Sequence, residues 1–244
     1  MDLFQQQWAT YRAVVQHDLM EHREVAEATA AAIEHWLQQR PSEAPAPRML
    51  DLGCGDLALL APLLRRLPLG HYSGLDLTGS VLPLAQQALG AVPYPCQWIE
   101  ADLLDWATGT TALPADPGEA EQQTVDLLHS AFALHHLSDA QKTDFLRAVR
   151  QRISPAGLFI WVDVFRQPGE SREVYLERYR ERIRNGWDVL PLPQQEQVIS
   201  HISSFDIPAD RAAIQAAAES AGWRWTWGWN GQQQAEALAV LTPV

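Results

Sequence analysis

The feature that most constrains the fold is an apolar stretch that stops at two closely spaced glycines. Residues 49–52 (Met-Leu-Asp-Leu) have the character of a buried strand, and Gly53 and Gly55 follow before a leucine-rich run. Glycine carries no Cβ, so the backbone can turn sharply there and approach a ligand. Open α/β sheets bind ligands beyond the carboxyl ends of their strands. The stretch therefore predicts a strand, a ligand-holding turn and a helix that begins near Asp56.

Strand-like and helix-like patterns alternate from Arg48 onward. Short apolar runs predict strands at 48–52, 72–77, 97–100, 125–129 and 158–164. Helical spacing and capping residues predict helices over 57–67, from Thr78 or Ser80 to 89, and to 152 behind a capping box of Ser138 and Gln141. The polar, Pro- and Gly-containing residues 107–123 are expected to form a loop.

The tail contributes two further strands around Asn230 and Gly231. Four tryptophans alternate with other residues at period two: Trp223, Trp225, Trp227 and Trp229. They predict one packed sheet face, with a ligand-stacking wall as the alternative. Together the elements predict an α/β fold with a doubly wound, mostly parallel, seven-stranded sheet.

Helical segments flank this sheet. Apolar residues recur at helical spacing before a proline-rich linker at 41–47, and another helical stretch follows residue 169. Pro208 is expected to open a last helix that ends at Gly222. We expect a single domain over 1–244, made of a helical cap (1–40), a core (48–165), a helical insertion (169–204) and a C-terminal helix with strands (208–244).

Charge and composition exclude several classes of protein. Lys and Arg total 18 against 30 Asp and Glu, a net charge of −12 that disfavours nucleic-acid partners. The arginines of 172–184 alternate with glutamates, which indicates a solvated helix face. Cys54 and Cys96 have neither disulfide nor metal spacing. Because the chain shows no signal peptide and no membrane-length apolar run, we expect a cytosolic protein with no membrane partner.

Two carboxylates define the ligand expected at the turn. Asp51 precedes Gly53 on the strand itself, where its charge would repel a pyrophosphate but suit an amino group or a sulfonium. Asp76 follows the next strand and can accept hydrogen bonds from two ribose hydroxyls. The alternative for Asp76 is a turn or helix-capping role, because Thr78 and Gly79 follow it.

With these residues in place, the chain resembles the class I S-adenosylmethionine (SAM) dependent methyltransferases. The resemblance runs in order from residue 48 to 164 and rests on five segments: 50–55 (LDLGCG), 74–77 (GLDL), 100–104 (EADLL), 126–137 (DLLHSAFALHHL) and 157–160 (GLFI). It implies a Rossmann-like methyltransferase fold with an N-terminal helical lid, SAM as the cofactor and a small-molecule substrate.

The resemblance also implies roles for single residues. Three carboxylates would each hold one part of SAM: Asp51 the amino group, Asp76 the ribose diol and Asp102 the adenine amine. The other cofactor contacts would be Gly53, Cys54 and Gly55 along the methionine, Leu77 and Leu103 on the adenine, and His129 near the transferred methyl.

The sequence defines the residues that would bind the methyl acceptor less closely than those that would bind the cofactor. Methyl transfer needs a general base only if the acceptor must lose a proton. The candidates are His129, His135, His136 and Asp163, with structural roles in the loop or turn as the alternative. The lid helix and the insertion would supply the acceptor pocket through Tyr11, Tyr175, Arg178 and Tyr179. Packing against the sheet is the alternative for Tyr175 and Tyr179. His22 and Arg23 also lie in the lid segment.

The function expected is methyl transfer from SAM to an oxygen, nitrogen or carbon of a small molecule. Ser130-Ala131-Phe132 replaces the Asn-Pro-Pro-Tyr type motif of relatives that methylate bases or glutamine amides. No carboxylate constellation for a metal is visible, so we expect no metal. Two alternatives remain: an NAD-type oxidoreductase, because residues 53–58 match G-x-G-x-x-A, and a non-catalytic SAM-binding protein.

Overall fold

Seven strands form the main path of one sheet in a computed structural model that describes residues 3–112 and 124–244. The strands are β1 Arg48–Leu52, β2 His71–Asp76, β3 Cys96–Glu100, β4 Val125–Ala131, β5 Ile153–Arg166, β6 Ala209–Asp210, β7 Trp223–Asn230 and β8 Glu236–Pro243. Their order is β3-β2-β1-β4-β5-β8-β7, and the two-residue β6 pairs with β5 off this path. Strands β1 to β5 are parallel and β8 is antiparallel to both neighbours, which confirms the predicted sheet.

Helices cover both faces of the sheet. They are α1 Leu3–Gln16, α2 His22–Gln39, α3 Ala61–Leu64, α4 Leu82–Leu89, α5 Leu103–Thr108, α6 Asp139–Arg150, α7 Arg172–Gly186, α8 Leu192–Phe205 and α9 Arg211–Ser220. One core cluster joins the sheet to α5, α6 and α9, and a second joins it to α2, α3 and α4. A third cluster packs α1, α7 and α8 together beside Val164, near the end of β5. Among the described residues, no helix is both long and apolar enough to cross a membrane.

The segment after the glycines is more irregular than its leucine spacing predicts. The expected helix over 57–67 is wrong in extent, because α3 spans only Ala61–Leu64. Leu57 has a left-handed backbone with φ 57°, so the chain continues in turns after Gly55. The loop expected from 107 is also corrected at its start: α5 runs to Thr108 behind Asp102, which caps it. Residues 113–123 of that predicted loop lie outside the described part of the chain.

The tryptophan ladder of β7 is broken by a β-bulge. Trp223, Trp225 and Trp227 join the cluster of α6 and α9, whereas Trp229 packs on the opposite face. The pairing of β7 with β8 shifts between Trp227 and Trp229. The prediction of one shared face is therefore wrong for Trp229, because a bulge at Gly228 inserts one residue and reverses the alternation.

A buried ion pair attaches α7 to β8. Glu236 is fully buried and accepts two hydrogen bonds from Nη1 of Arg182, at 2.7 and 2.8 Å. The Tyr179 hydroxyl donates to the same carboxylate at 2.9 Å. Arg182 also donates to the Leu19 carbonyl, so one side chain links the insertion to the end of the lid segment.

Removing only one member of this pair should destabilise the protein strongly. We expect Glu236→Leu to lower the free energy of unfolding by about 3–5 kcal/mol, because Arg182 would keep a buried charge without its carboxylate. The double variant Glu236→Leu/Arg182→Met should recover part of that loss. Urea unfolding measures both, and a single variant as stable as the parent would contradict the role given to the pair.

A buried lysine fixes the loop after β4. The Lys142 side chain of α6 is almost fully buried, and its ammonium donates to the carbonyls of Leu137 and Ile207, the latter at 2.7 Å. Burial lowers the pKa of Lys142 to about 8, against the raising effect of nearby carboxylates. The lysine thus connects the start of α6 to the chain that enters β6.

Stability should rise with pH in a way that depends on Lys142. Between pH 8 and the ordinary lysine value of 10.5, the unfolded state holds a proton at Lys142 that the folded state has lost. The free energy of unfolding of the parent relative to Lys142→Met should therefore increase by on the order of 2 kcal/mol between pH 7.5 and pH 10. Urea unfolding at the two pH values tests this, and a constant difference would contradict it.

Candidate active site

A cavity of about 920 Å³ opens at the carboxyl ends of β1, β2 and β4. Its floor includes the predicted cofactor residues Asp51, Gly53, Cys54, Gly55, Asp76, Leu77, Asp102, Leu103 and His129. Residues of α1, α2 and α8 form the opposite wall. The volume lies near the upper end of the range of about 300–1,000 Å³ that small-molecule sites occupy. The structure therefore brings the whole predicted cofactor set to one cavity.

Asp51 is held by partners from the two neighbouring strands. It lies directly opposite His129 of β4, whose Nδ1 is 2.6 Å from its Oδ1. The Tyr72 hydroxyl of β2 donates to Oδ2 at 3.1 Å. Gly74 lies opposite Asp51 and has no side chain, so Tyr72, two residues earlier on the same face, can reach the carboxylate. Asp51 is only 2% exposed but still borders the cavity.

Tyr72 is a site residue that the sequence analysis missed. It is fully buried, and burial together with the Asp51 carboxylate raises its pKa well above the usual value, so it remains a hydrogen-bond donor. No local motif marks it, because it sits within an apolar strand. The pairing register of β1 with β2 is what brings it to Asp51.

The two glycines are required by the shape of the turn. Both have positive φ, 71° at Gly53 and 53° at Gly55. A Cβ on Gly53 would come within 2.5 Å of the Cβ of Ala133, so a larger residue would collide with the loop after β4. The amides of Gly53 and Cys54 donate to the Leu75 carbonyl at 2.8 and 3.0 Å. Burial raises the pKa of the Cys54 thiol, which keeps it neutral beside the acidic groups.

Asp76 both supports the turn and borders the cavity. Its Oδ2 accepts from the Gly55 amide at 2.9 Å and its Oδ1 from the Thr78 amide at 2.8 Å. Burial raises the pKa of Asp76, and these two bonds act in the opposite direction. The turn role considered as an alternative is thus present, and the carboxylate also lies on the cavity wall.

Asp102, like Asp76, both holds backbone amides and borders the cavity. Its Oδ1 accepts from the amides of Leu104 and Asp105, at 2.7 and 3.3 Å, and so caps α5. Leu77, which is 69% exposed, and the partly buried Leu103 lie on the cavity wall beside the two carboxylates. This end of the cavity therefore offers apolar surface between acidic groups.

A second polar group lies where α8 meets the loop after β4. His135 Nδ1 is 2.6 Å from Oδ1 of Asp163, and the His135 amide donates to Oδ2 at 3.0 Å. Trp161 Nε1 and the Val164 amide also donate to Asp163, at 3.0 and 2.9 Å. Burial opposes the charged form of His135, but the carboxylates of Asp163 and Asp206 together outweigh burial and raise the pKa of His135. Asp163 thus orients His135, and His135 rather than Asp163 borders the cavity.

Asp206 and His201 complete this group, and the sequence analysis missed both. Oδ1 of Asp206 lies 3.6 Å from Nε2 of His135, 3.9 Å from Nδ1 of His136 and 3.8 Å from Nε2 of His201. The four residues border the cavity. The ligand atoms of His135, His136 and Asp206 lie within 4.8 Å of one another, a spacing that can hold a metal ion although the sequence led us to expect none.

The predicted acceptor residues divide between the cavity and its surroundings. Tyr11, 44% exposed, and Tyr179 border the cavity, although the Tyr179 hydroxyl is bonded to Glu236. Tyr175 is buried in the cluster of α7 and α8, and Arg178 pairs with Glu170 at 3.0 Å. Neither is part of the cavity wall among the described residues.

The lid segment adds one histidine to the cavity wall. His22 borders the cavity, and its ring meets Phe132 edge-on with centroids 5.5 Å apart. Burial lowers the pKa of His22 to about 4, so the ring is neutral at physiological pH. Arg23 instead pairs with Asp18 at 3.8 Å.

Comparison with known sequences finds methyltransferases. A family model described as a methyltransferase domain matches residues 50–159. Trans-aconitate 2-methyltransferase of Acidovorax ebreus is 40% identical over 83 residues, which cover 34% of this chain and 30% of that protein. The aligned stretch thus spans less than a third of the length of this curated relative.

Solved structures extend the likeness to nearly the whole chain. Magnesium protoporphyrin IX methyltransferase from Synechocystis with bound SAH has a TM-score of 0.61 at 14% identity, covering 97% of this chain and 94% of that one. The DhpI–SAH complex has a TM-score of 0.54 at 17% identity, covering 99% and 97%. At such identities the likeness shows the fold alone.

The family match, the ordered sequence segments and the shared fold agree with one another. Residues 50–159 match a methyltransferase domain, and the chain has the Rossmann-like fold of SAM-dependent methyltransferases, whose cofactor is S-adenosylmethionine.

Proposed function

We propose that this protein binds SAM in the cavity and transfers its methyl group to an oxygen, nitrogen or carbon of a small molecule. The observation that carries the proposal is the convergence of Asp51, Asp76 and Asp102 with the glycine turn on one cavity. Three carboxylates at the ends of three neighbouring strands match a cationic nucleoside ligand better than an anionic one. The same charges oppose the pyrophosphate of NAD, the ligand of the alternative oxidoreductase.

Each carboxylate has capacity left for the cofactor. An ionised carboxylate offers about four lone-pair sites. The two amide bonds of Asp76 leave sites for the ribose hydroxyls. Both capping bonds of Asp102 end on Oδ1, so we assign its Oδ2 to the adenine amine. We assign the amino group of SAM to Asp51, and the methionine to the wall of Gly53, Cys54 and Gly55.

The way several strands and helices converge on the cavity supports a chemistry that depends on alignment. Methyl transfer displaces a neutral thioether from a sulfonium carbon, so the positive charge on sulfur disappears during the step. A preorganised site that holds the two reactants in line favours such a displacement. The histidines near the loop after β4, His129, His135 and His136, are the groups of the cavity wall that we propose for proton removal from the acceptor.

The size of the cavity and the names of the relatives support a small acceptor. A volume of about 920 Å³ leaves room for a second molecule beside a cofactor. The relatives named above are a trans-aconitate and a protoporphyrin methyltransferase. Tyr11 and Tyr179 are the predicted acceptor residues that keep this role, and the cytosolic location, the lack of nucleic-acid partners and the single-domain organisation stay predictions.

Cofactor titration tests the assignment of Asp76. We expect the protein to bind SAM and its demethylated product SAH with one-to-one stoichiometry in calorimetry, and NAD not at all. Asp76→Ala should weaken SAM binding at least about tenfold, because hydrogen bonds to a charged group contribute about 1.5–3 kcal/mol each. Asp144→Ala, at an exposed position of α6, is the control and should bind as the parent does.

Two outcomes would contradict this prediction in different ways. If Asp76→Ala binds SAM unchanged, the ribose assignment is wrong while the family function stands. If the parent binds neither SAM nor SAH and is stabilised by NAD, the methyltransferase proposal itself is wrong.

Two nearly isosteric variants distinguish the effect of the Asp51 charge from the effect of its hydrogen bond with Tyr72. Asp51→Asn removes the negative charge and should weaken both SAM and SAH binding more than tenfold, since both carry the same amino group. Tyr72→Phe keeps the carboxylate and removes only one donor, so we expect a stability loss of about 1 kcal/mol and nearly parental affinity. Equal losses of affinity in the two variants would mean that the site needs the hydrogen-bond network rather than the charge.

A further inference from the structure

We propose that His135, His136 and Asp206 form a binding site for one divalent transition-metal ion on the cavity wall, with His201 beside it. These residues come from two separate parts of the chain, the 3₁₀ turn Leu134–His136 and the end of α8. The proposal concerns metal binding by the protein alone and does not depend on SAM.

The distances fit a shared ion better than direct hydrogen bonds. The three ring nitrogens lie 3.6, 3.9 and 3.8 Å from a single oxygen, Oδ1 of Asp206, beyond ordinary hydrogen-bond length. Ligands bound ~2.1 Å from a tetrahedral ion are ~3.4 Å apart. The separations of His135 and His136 from Asp206 are close to that edge length, and the ligand atoms of these three residues all lie within 4.8 Å of one another, so small side-chain shifts bring them onto one ion.

The unsatisfied oxygen of Asp206 points to a missing cation. Its side chain is only 9% exposed, and Oδ1 has no hydrogen-bond partner among the described residues. A buried carboxylate oxygen without a partner costs free energy, because nothing replaces its hydration. A cation bound between Asp206, His135 and His136 would remove that cost.

Asp163 prepares His135 as a ligand. The carboxylate binds Nδ1 of His135 at 2.6 Å and is itself held by the indole of Trp161 at 3.0 Å. Nδ1 therefore keeps its proton, and Nε2, which lies 3.6 Å from Oδ1 of Asp206, is the nitrogen left to bind an ion. A carboxylate that binds the second nitrogen of a histidine ligand is the usual outer support of a metal site.

The donor atoms select the class of metal. Imidazole nitrogens with one carboxylate oxygen suit Zn²⁺ and its neighbours Co²⁺, Ni²⁺ and Cu²⁺. Mg²⁺ and Ca²⁺ prefer oxygen ligands throughout. We therefore expect binding of Zn²⁺ and Co²⁺, and none of Mg²⁺ at comparable concentration.

The location gives the ion a chemical role. All four residues border the same cavity as Asp51 and His129. A coordination position left open by the protein would be filled by water or by an oxygen or nitrogen of a molecule in the cavity. If the proposed methyl transfer is correct, that molecule is the acceptor, and the ion would hold it and lower the pKa of the atom that is methylated. With His135 and His136 on the ion, His129 would be the histidine left for proton removal.

Metal titration of the chelator-treated full chain, without an affinity tag, tests the site. We expect one equivalent of Zn²⁺ by calorimetry and one equivalent of Co²⁺ by visible absorption with the intensity of a four-coordinate ion. Asp206→Asn and His136→Ala should each weaken binding at least tenfold. His35→Ala, which removes an exposed histidine of α2, is the matched control and should leave the affinity unchanged.

Thermal unfolding of each variant establishes that it is folded. His136 is half-exposed, so we expect His136→Ala to disturb the fold less than Asp206→Asn. The proposal is overturned if the parent binds no stoichiometric Zn²⁺ or Co²⁺, or if both variants retain the parental affinity. Neither result bears on SAM binding. Conversely, a protein that binds one Zn²⁺ but no SAM would refute the methyltransferase proposal and leave the metal site in place.

Discussion

The contact on which the site depends is the buried carboxylate of Asp51 between His129 and Tyr72. The three side chains come from β1, β4 and β2, the three adjacent strands at the centre of the parallel sheet. An unpaired carboxylate at this depth would be strongly destabilising. Two hydrogen bonds stabilise its charge, and the sheet can therefore present a negative group at the base of the cavity.

The backbone geometry around that carboxylate leaves little space for larger side chains. The glycine turn passes directly above Ala133, and Asp76 bonds the Gly55 amide across the gap between β1 and β2. Asp76 and Asp102 each satisfy backbone amides while they border the cavity. Because the same groups support the fold and border the cavity, we expect substitutions here to affect stability and the proposed cofactor binding together.

The cavity has two ends of different chemistry. One end is acidic and apolar and is built by the loops after β1, β2 and β3. The other is rich in histidine and is built by the loop after β4 and by α8, with Asp206 and Asp163 on either side of His135. The helices α1, α2 and α8 face the sheet across this space and join the two ends in one enclosure.

The amino-acid sequence by itself determined the succession of strands along the chain, the parallel sheet and the carboxylates at the acidic end of the cavity. These features are local, because each consists of a strand, the residue at its end and the turn that follows. It misjudged the length of α3 and the side of Trp229, where one left-handed residue or one inserted residue changes the periodicity. Tyr72, Asp206 and His201 carry no local signal. Only the tertiary structure decided their roles, since strand register brings Tyr72 to Asp51 and the packing of α8 brings Asp206 to histidines some seventy residues earlier in the chain.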